Sequence, residues 1–390
     1  MPRRRLHMPS RHARFSPSSA DRYIHCTPSL RLGEEHGPPD TGSVYTAEGT
    51  EAHELGEFLL RTALGEEMAD PRPSMKYYND EMQECAEGYR DAVLDLYNQL
   101  RLRSPDTAIF IEQEVSFEQY VPGGFGTSDC VIIGGGEMFV VDYKHGKGVP
   151  VSAEGDGTGN SQLKCYALGA YLAFESLYDI TKITLVIYQP RIGNFSQFSL
   201  STDTLLEWAD KVLRPAATLA LAGEGELTCG SWCRFCRAKA VCRKRAEENL
   251  ALARYDFARP PTLEDDEVNL ILARLPDLEA WASDIRDYAL QRALSGYAWD
   301  DFKLVEGRST RHFTDEEAVA KIVEDAGYDP YERKVKGITA MTSLLGKPRF
   351  NELLGPFIDK RAGKPTLVPR ADKRPELFVT QTPQQDFSTI

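Results

Sequence analysis

Two hydrophobic periods alternate along the chain. Between Ser74 and Leu102 the apolar residues Ala86, Tyr89, Val93, Leu96, Tyr97 and Leu100 recur at helical spacing, which predicts a long amphipathic helix. From Thr107 to Phe117 the apolar members Ile109, Ile111, Val115 and Phe117 predict a strand. Simple alternation puts Glu112 and Glu114 on one face of it. A turn at Pro122–Gly126 leads to a second strand, Thr127–Ile133, which carries Asp129. Gly134–Gly136 then makes a hairpin into a third, Met138–Lys144, on which Asp142 and Lys144 point the same way. One antiparallel meander thus delivers Glu114, Asp129, Asp142 and Lys144.

The pattern continues on both sides of this meander. Upstream, Ser18 or Ser19 is expected to cap a short helix ending near Cys26. Thr50 is expected to cap a helix on which His53 and Glu57, four apart, share a face. Downstream, the Gly- and acid-rich segment 145–159 predicts a mobile loop. Asn160 then opens a helix with Gln162 and Tyr166 one turn apart. Strands are expected at Lys182–Arg191 and Phe195–Leu200, and a helix at Leu205–Leu221. Helix, three strands, helix, two strands and helix predict an α/β core on a mixed sheet. Past Pro260-Pro261 the pattern is mostly helical: Leu270–Leu294, a helix opening at Thr314, and two short helices over Ile338–Leu354. The expected organisation is a basic arm (1–14), a core (15–250), a helical accessory domain (260–379) and a disordered tail (380–390).

Composition narrows the possibilities. No run approaches the roughly 20 apolar residues of a membrane span, so no membrane association is expected. The basic start lacks a secretory core, so a cytoplasmic location is expected. A net charge of −13 argues against a protein that coats nucleic acid non-specifically, but leaves room for one that grips a few phosphates.

The chemistry concentrates in two places. If Asp129 and Asp142 face one end of the sheet, a divalent cation offsets their repulsion; carboxylates with one imidazole suit Mg²⁺ or Mn²⁺. Half of the eight cysteines fall within Cys229–Cys242, a distribution that points to ligation rather than disulfides. Zinc would take Cys229, Cys233, Cys236 and Cys242 together. An iron–sulfur cluster would take three thiolates and a distant fourth.

In order, Gly49-Thr50-Glu51-Ala52-His53, Gly126-Thr127-Ser128-Asp129, Asp142-Tyr143-Lys144 and Gln162-x-x-x-Tyr166 resemble the motifs of the RecB-like nucleases, a branch of the PD-(D/E)XK superfamily. Cys26 with Cys233-x₂-Cys236-x₅-Cys242 resembles the iron–sulfur staple of the AddB-type and CRISPR-adaptation nucleases. The resemblance covers residues 15–250 and looks like that of a phage or prophage member, acting in a bacterial host cell. It implies a restriction-endonuclease-like core, a mixed central sheet flanked by helices, with an α-rich C-terminal region.

It further implies that His53, Asp129, Asp142 and the Tyr143 backbone carbonyl bind the catalytic metal, with Glu114 as an added carboxylate. Lys144 would orient the attacking water, and Gln162 and Tyr166 would position the strand. Cys26, Cys233, Cys236 and Cys242 would hold a [4Fe–4S] cluster, with zinc the alternative and Cys229 outside the pattern. The expected activity is metal-dependent DNA hydrolysis, as an exonuclease in phage recombination or end processing. An endonuclease and a non-catalytic DNA-binding or assembly protein are the alternatives. Expected partners are DNA, a single-strand annealing or single-strand-binding protein, and further copies of the chain. Arg191, Arg308, Arg311, Lys373 and Arg374 are the candidate phosphate contacts.

Overall fold

The computed structural model describes residues 14–37, 44–252, 263–303, 305, 316–325, 329–331 and 337–358. The chain divides into two compact units after Arg292. In the first, five strands form one sheet in the order β1-β2-β3-β4-β5: Ala108–Ser116, Phe125–Gly134, Glu137–Tyr143, Lys182–Gln189 and Asn194–Ser201. The first three make an antiparallel meander, β4 joins β3 in parallel, and β5 returns antiparallel to β4. A parallel neighbour needs a crossover. The helix α5, Ser161–Phe174, supplies it.

Each face of the sheet carries its own core. On one side α3 (Val44–Ala63) and α4 (Asp80–Arg103) pack Ala52, Leu55, Met82 and Tyr89 against Cys130, Ile132, Phe139 and Val141. On the other, α1 (Ala20–His25), α5, α6 (Thr202–Trp208) and α7 (Arg214–Ala222) pack Tyr23, Leu163, Leu205 and Ala217 against Val131, Ile133, Met138 and Val140. The β2 and β3 residues divide between the cores by strict alternation, as the two-residue period requires.

Strand β1 breaks that rule. Ile109 and Ile111 belong to the α3/α4 side, yet Val115 packs on the α5 side. The reversal falls at Glu112, the only described non-glycine residue with positive φ, at 49°. Ladder register is the same on either side of it, Ile111 facing Cys130 and Gln113 facing Ser128. Glu112 and Glu114 are therefore not equivalent positions on one face.

Several other expectations change. Thr50 does not cap a helix; α3 is already helical from Val44, and the Thr50 hydroxyl donates to the Thr46 carbonyl at 3.0 Å. Helix α6 begins at Thr202 rather than Leu205, capped by Ser201, whose Oγ accepts from the Thr204 amide. Segment 145–159 is tied down: Gln189 Nε2 donates to the carbonyls of Gly146 and Val149, the Val151 amide donates to Gln189 Oε1, and the Ala153 amide donates to Ser196 Oγ.

C-terminal to this core, α8 (Arg243–Leu250) and the turn before it are joined to α9 (Asp265–Leu294) by Arg245 and Lys239, which both reach Asp284, at 2.5 and 2.7 Å. Most of α9 thus belongs to the first unit, not to a domain opening at 260. The second unit contains α10 (Glu316–Asp325), α11 (Ile338–Leu345) and α12 (Lys347–Leu354). No helix among the described residues is long and apolar enough to cross a membrane. Arg308, Arg311, Lys373, Arg374 and the 380–390 tail lie outside the described residues.

Candidate metal centre and cysteine chamber

The site collects at the C-terminal end of β3 and the middle of β2, between α3 and α5. Asp129 Oδ1 lies 3.2 Å from His53 Nδ1, and its Oδ2 accepts the Tyr143 amide at 2.7 Å. The Tyr143 N–H therefore fixes the Asp129 carboxylate through the backbone of the neighbouring strand. Asp142 lies beside Lys144, whose Nζ is 2.9 Å from Oδ2 and 3.3 Å from Oδ1. Only the Oδ1 approach is directed as a hydrogen bond; Oδ2 is buried without one. Gln162 bridges the pair, with Nε2 donating to Asp142 Oδ1 and Oε1 accepting from Lys144, and Nε2 also reaches the Tyr166 hydroxyl at 3.3 Å. Asn160 sets that geometry by capping α5, its Oδ1 accepting the Gln162 and Leu163 amides. The absence of a side chain at Gly126 also matters, because a Cβ there would meet Pro17 at 2.7 Å and Tyr166 at 3.1 Å.

The third carboxylate is Glu112 rather than Glu114. Among the described residues, ligand atoms of His53, Glu112 and Asp129 lie within 4.8 Å of one another. Glu114 is exposed on the strand. The left-handed turn at Glu112 marks the break in alternation beside this group, and sequence pattern offers no signal for it.

Charge is unevenly distributed here. Burial pushes the Asp142 carboxyl above its ordinary value; Lys144 opposes this and Asp129 adds to it. Burial resists ionisation of Asp129 too, but the His53 charge and hydrogen bond hold its carboxyl low. Burial likewise drives Glu112 up. For His53 burial acts downward, yet Asp129 and then Asp142 and Glu112 outweigh it and raise the imidazole to about 9. Because that lies above the unfolded value of 6.5, the stabilisation is complete below about pH 6.5 and is lost as pH rises towards 9. Melting temperature of chelator-treated protein should fall across that window, and His53→Gln should flatten the slope; an equal slope in the variant would refute the assignment.

Arg191 is not placed as a phosphate contact. Its side chain is 9% exposed and ion-paired to Glu48 at 2.9 Å and Glu81 at 2.7 Å. Glu48 also lies 3.6 Å from His145, whose Nδ1 contacts the Tyr143 hydroxyl at 3.0 Å. The guanidinium is thus a tie behind the metal-ligand group, holding α3, α4 and the chain after β4 together. Arg191→Ala should cost about 1–3 kcal/mol of unfolding free energy by urea titration, because it leaves Glu48 without its cation. A loss below a few tenths would show the tie to be dispensable.

Cys26, Cys233, Cys236 and Cys242 line one cavity, and Cys229 does not line it. Three hydrogen bonds clasp the first helices to this segment: Thr27 to the Glu224 carbonyl, Thr228 to the His25 carbonyl and Arg22 to the Phe235 carbonyl. The thiols surround a shared space but do not form a group within 4.8 Å, as the His53 group does. Around a single zinc, Zn–S bonds near 2.3 Å place sulfurs only about 3.8 Å apart.

The fold and site define a mixed α/β protein with a histidine–carboxylate pocket at a sheet end and a separate thiol-lined chamber. The chain belongs to the family described as protein of unknown function DUF2800, whose model matches residues 12–375. It is also similar to a solved structure described as "Crystal structure of SSO0001", at 17% identity and a TM-score of 0.22, over 50% of this chain and 98% of the other.

Proposed function

We propose that the chain is a metal-dependent DNA nuclease with a PD-(D/E)XK core, acting as an exonuclease on linear DNA. The observation that carries this reading is the convergence of His53, Glu112, Asp129, Asp142, Lys144 and Gln162 from five elements around the C-terminal end of β3. The donor set of one imidazole and buried carboxylates fits Mg²⁺ or Mn²⁺. Asp142 Oδ2, buried without a hydrogen bond, is an acceptor that such an ion would satisfy. His53, Glu112, Asp129 and Asp142 would hold the ion, which supplies an acidified water and polarises a phosphoryl oxygen. Lys144, held by Asp142 and Gln162, would stabilise developing negative charge. Tyr166, hydrogen-bonded to Gln162, extends the surface that would orient the strand.

In the thiol chamber the reading is a [4Fe–4S] cluster held by Cys26, Cys233, Cys236 and Cys242. What supports it over zinc is that the distant Cys26, and not the neighbouring Cys229, lines the chamber with Cys233, Cys236 and Cys242. The test is digestion of end-labelled linear DNA by anaerobically purified protein with Mg²⁺ or Mn²⁺, beside an iron and sulfide assay. Shortening fragments and bound iron are expected. No digestion of single- or double-stranded linear DNA with either metal would overturn the nuclease reading, and zinc in place of iron would overturn the cluster.

A further inference from the structure

The cations around the cysteine chamber are not alike. Arg22, Lys239 and Arg245 all line it. Lys239 and Arg245 share one carboxylate, Asp284, which reaches them from α9 at 2.7 and 2.5 Å and offsets one of their two charges. Among the described residues, Arg22 is ion-paired to no carboxylate. Its Nη1 donates to the neutral Phe235 carbonyl at 2.8 Å, and its Nε is buried without a hydrogen-bond partner. The same residue anchors a cysteine, because the Cys26 amide donates to the Arg22 carbonyl at 2.9 Å. Burying a guanidinium against an uncharged carbonyl is costly unless negative charge arrives nearby. Thiolates bound to a metal centre bring that charge.

We propose that Arg22 is the counter-charge of the chamber: it offsets the negative charge of a thiolate-ligated cluster and thereby sets its reduction potential. This rests on the cluster reading above. One-electron reduction adds a further negative charge to the cluster, so a partly buried cation on the chamber wall favours the reduced form, and removing the cation favours the oxidised one. Arg22 acts through its field and is a positioning residue, not a ligand.

The experiment is a potentiometric titration followed by electron paramagnetic resonance, on full-length anaerobic protein with its iron and sulfide content measured. Wild type, Arg22→Lys and Arg22→Gln are compared. Arg22→Gln should lower the midpoint by about 59 mV or more, a tenfold shift of a one-electron equilibrium, and Arg22→Lys should shift it much less. An unchanged or raised midpoint in Arg22→Gln would overturn the proposal, as would an equal fall in Arg22→Lys. If Arg22→Gln fails to retain iron while Arg22→Lys holds the wild-type amount, the charge is required and the proposal stands. Iron loss in both variants would make the side chain a packing element and overturn it. Wild-type protein without iron would refute the cluster itself, an outcome distinct from any of these.

Discussion

Replacing Asp142 by Asn should lower metal-dependent DNA cleavage by about 10³-fold or more while leaving the metal-free protein close to wild type in stability, because removing a buried carboxylate offsets the loss of the partner of Lys144. The activity loss follows from removing one anionic donor and half of the Lys144 ion pair. The stability expectation follows from the sign of the shift. The fold, chiefly through burial, holds the Asp142 carboxyl above its ordinary value, so ionisation costs stability as pH rises through the carboxylate range. Asparagine removes that charge, keeps the shape, and still accepts from Lys144 and Gln162. Gel assays at saturating Mn²⁺ and thermal melts in chelator measure the two halves separately. Lys144→Met should be comparably inactive, because it leaves the metal ligands in place but takes away the cation. Near wild-type cleavage by either variant would remove these residues from the site.

The second large effect is expected at the chamber. Cys26→Ala should abolish stoichiometric iron binding and lower thermal stability far more than Cys229→Ala, which lies off the cavity lining. A cross-link from Cys26 to Cys233 closes about 200 residues of chain, and a closure of that length is worth about 5 kcal/mol in a chain-entropy account. The hydrogen bonds around Thr27, Thr228 and Arg22 would remain, so the core should survive in weakened form. Iron analysis with differential scanning calorimetry decides it. Equal effects of the two substitutions would contradict the ligand assignment.

The meander and the mixed α/β order were legible from periodicity, and the helices flanking the sheet were expected from the family resemblance. The alternation of Val131, Cys130, Ile132 and Ile133, and of Met138, Phe139, Val140 and Val141, divides cleanly between two cores. Legibility failed where local backbone departed from the period. Glu112 has a left-handed conformation unusual for a residue with a Cβ, and that single angle separates it from Glu114. Arg191 failed for another reason: a basic residue after a strand looks solvated in sequence, and its two glutamates come from helices more than 100 positions upstream. Thr50 misled because a hydroxyl that can cap a helix can equally bond back to its own. The Asp142–Lys144–Gln162 contacts were foreseeable in kind, since a strand end and a helix start with those residues must meet across one crossover.

The clasp at the start of the fold also bears on how the chain is made. The partners of Thr27, His25 and Arg22 lie 197, 203 and 213 residues further along. At about 5–20 residues per second of synthesis, the first helix waits about 10–40 s outside the ribosome before the segment that receives it exists. Until the strands and α5 are made, Tyr23 and Phe15, fully buried in the finished protein, have no core to enter, and for the whole interval Cys26 has none of its companion thiols. The N-terminal helices are thus synthesised early and docked late, and this interval is when the nascent chain is most open to chaperone binding, oxidation or mispairing.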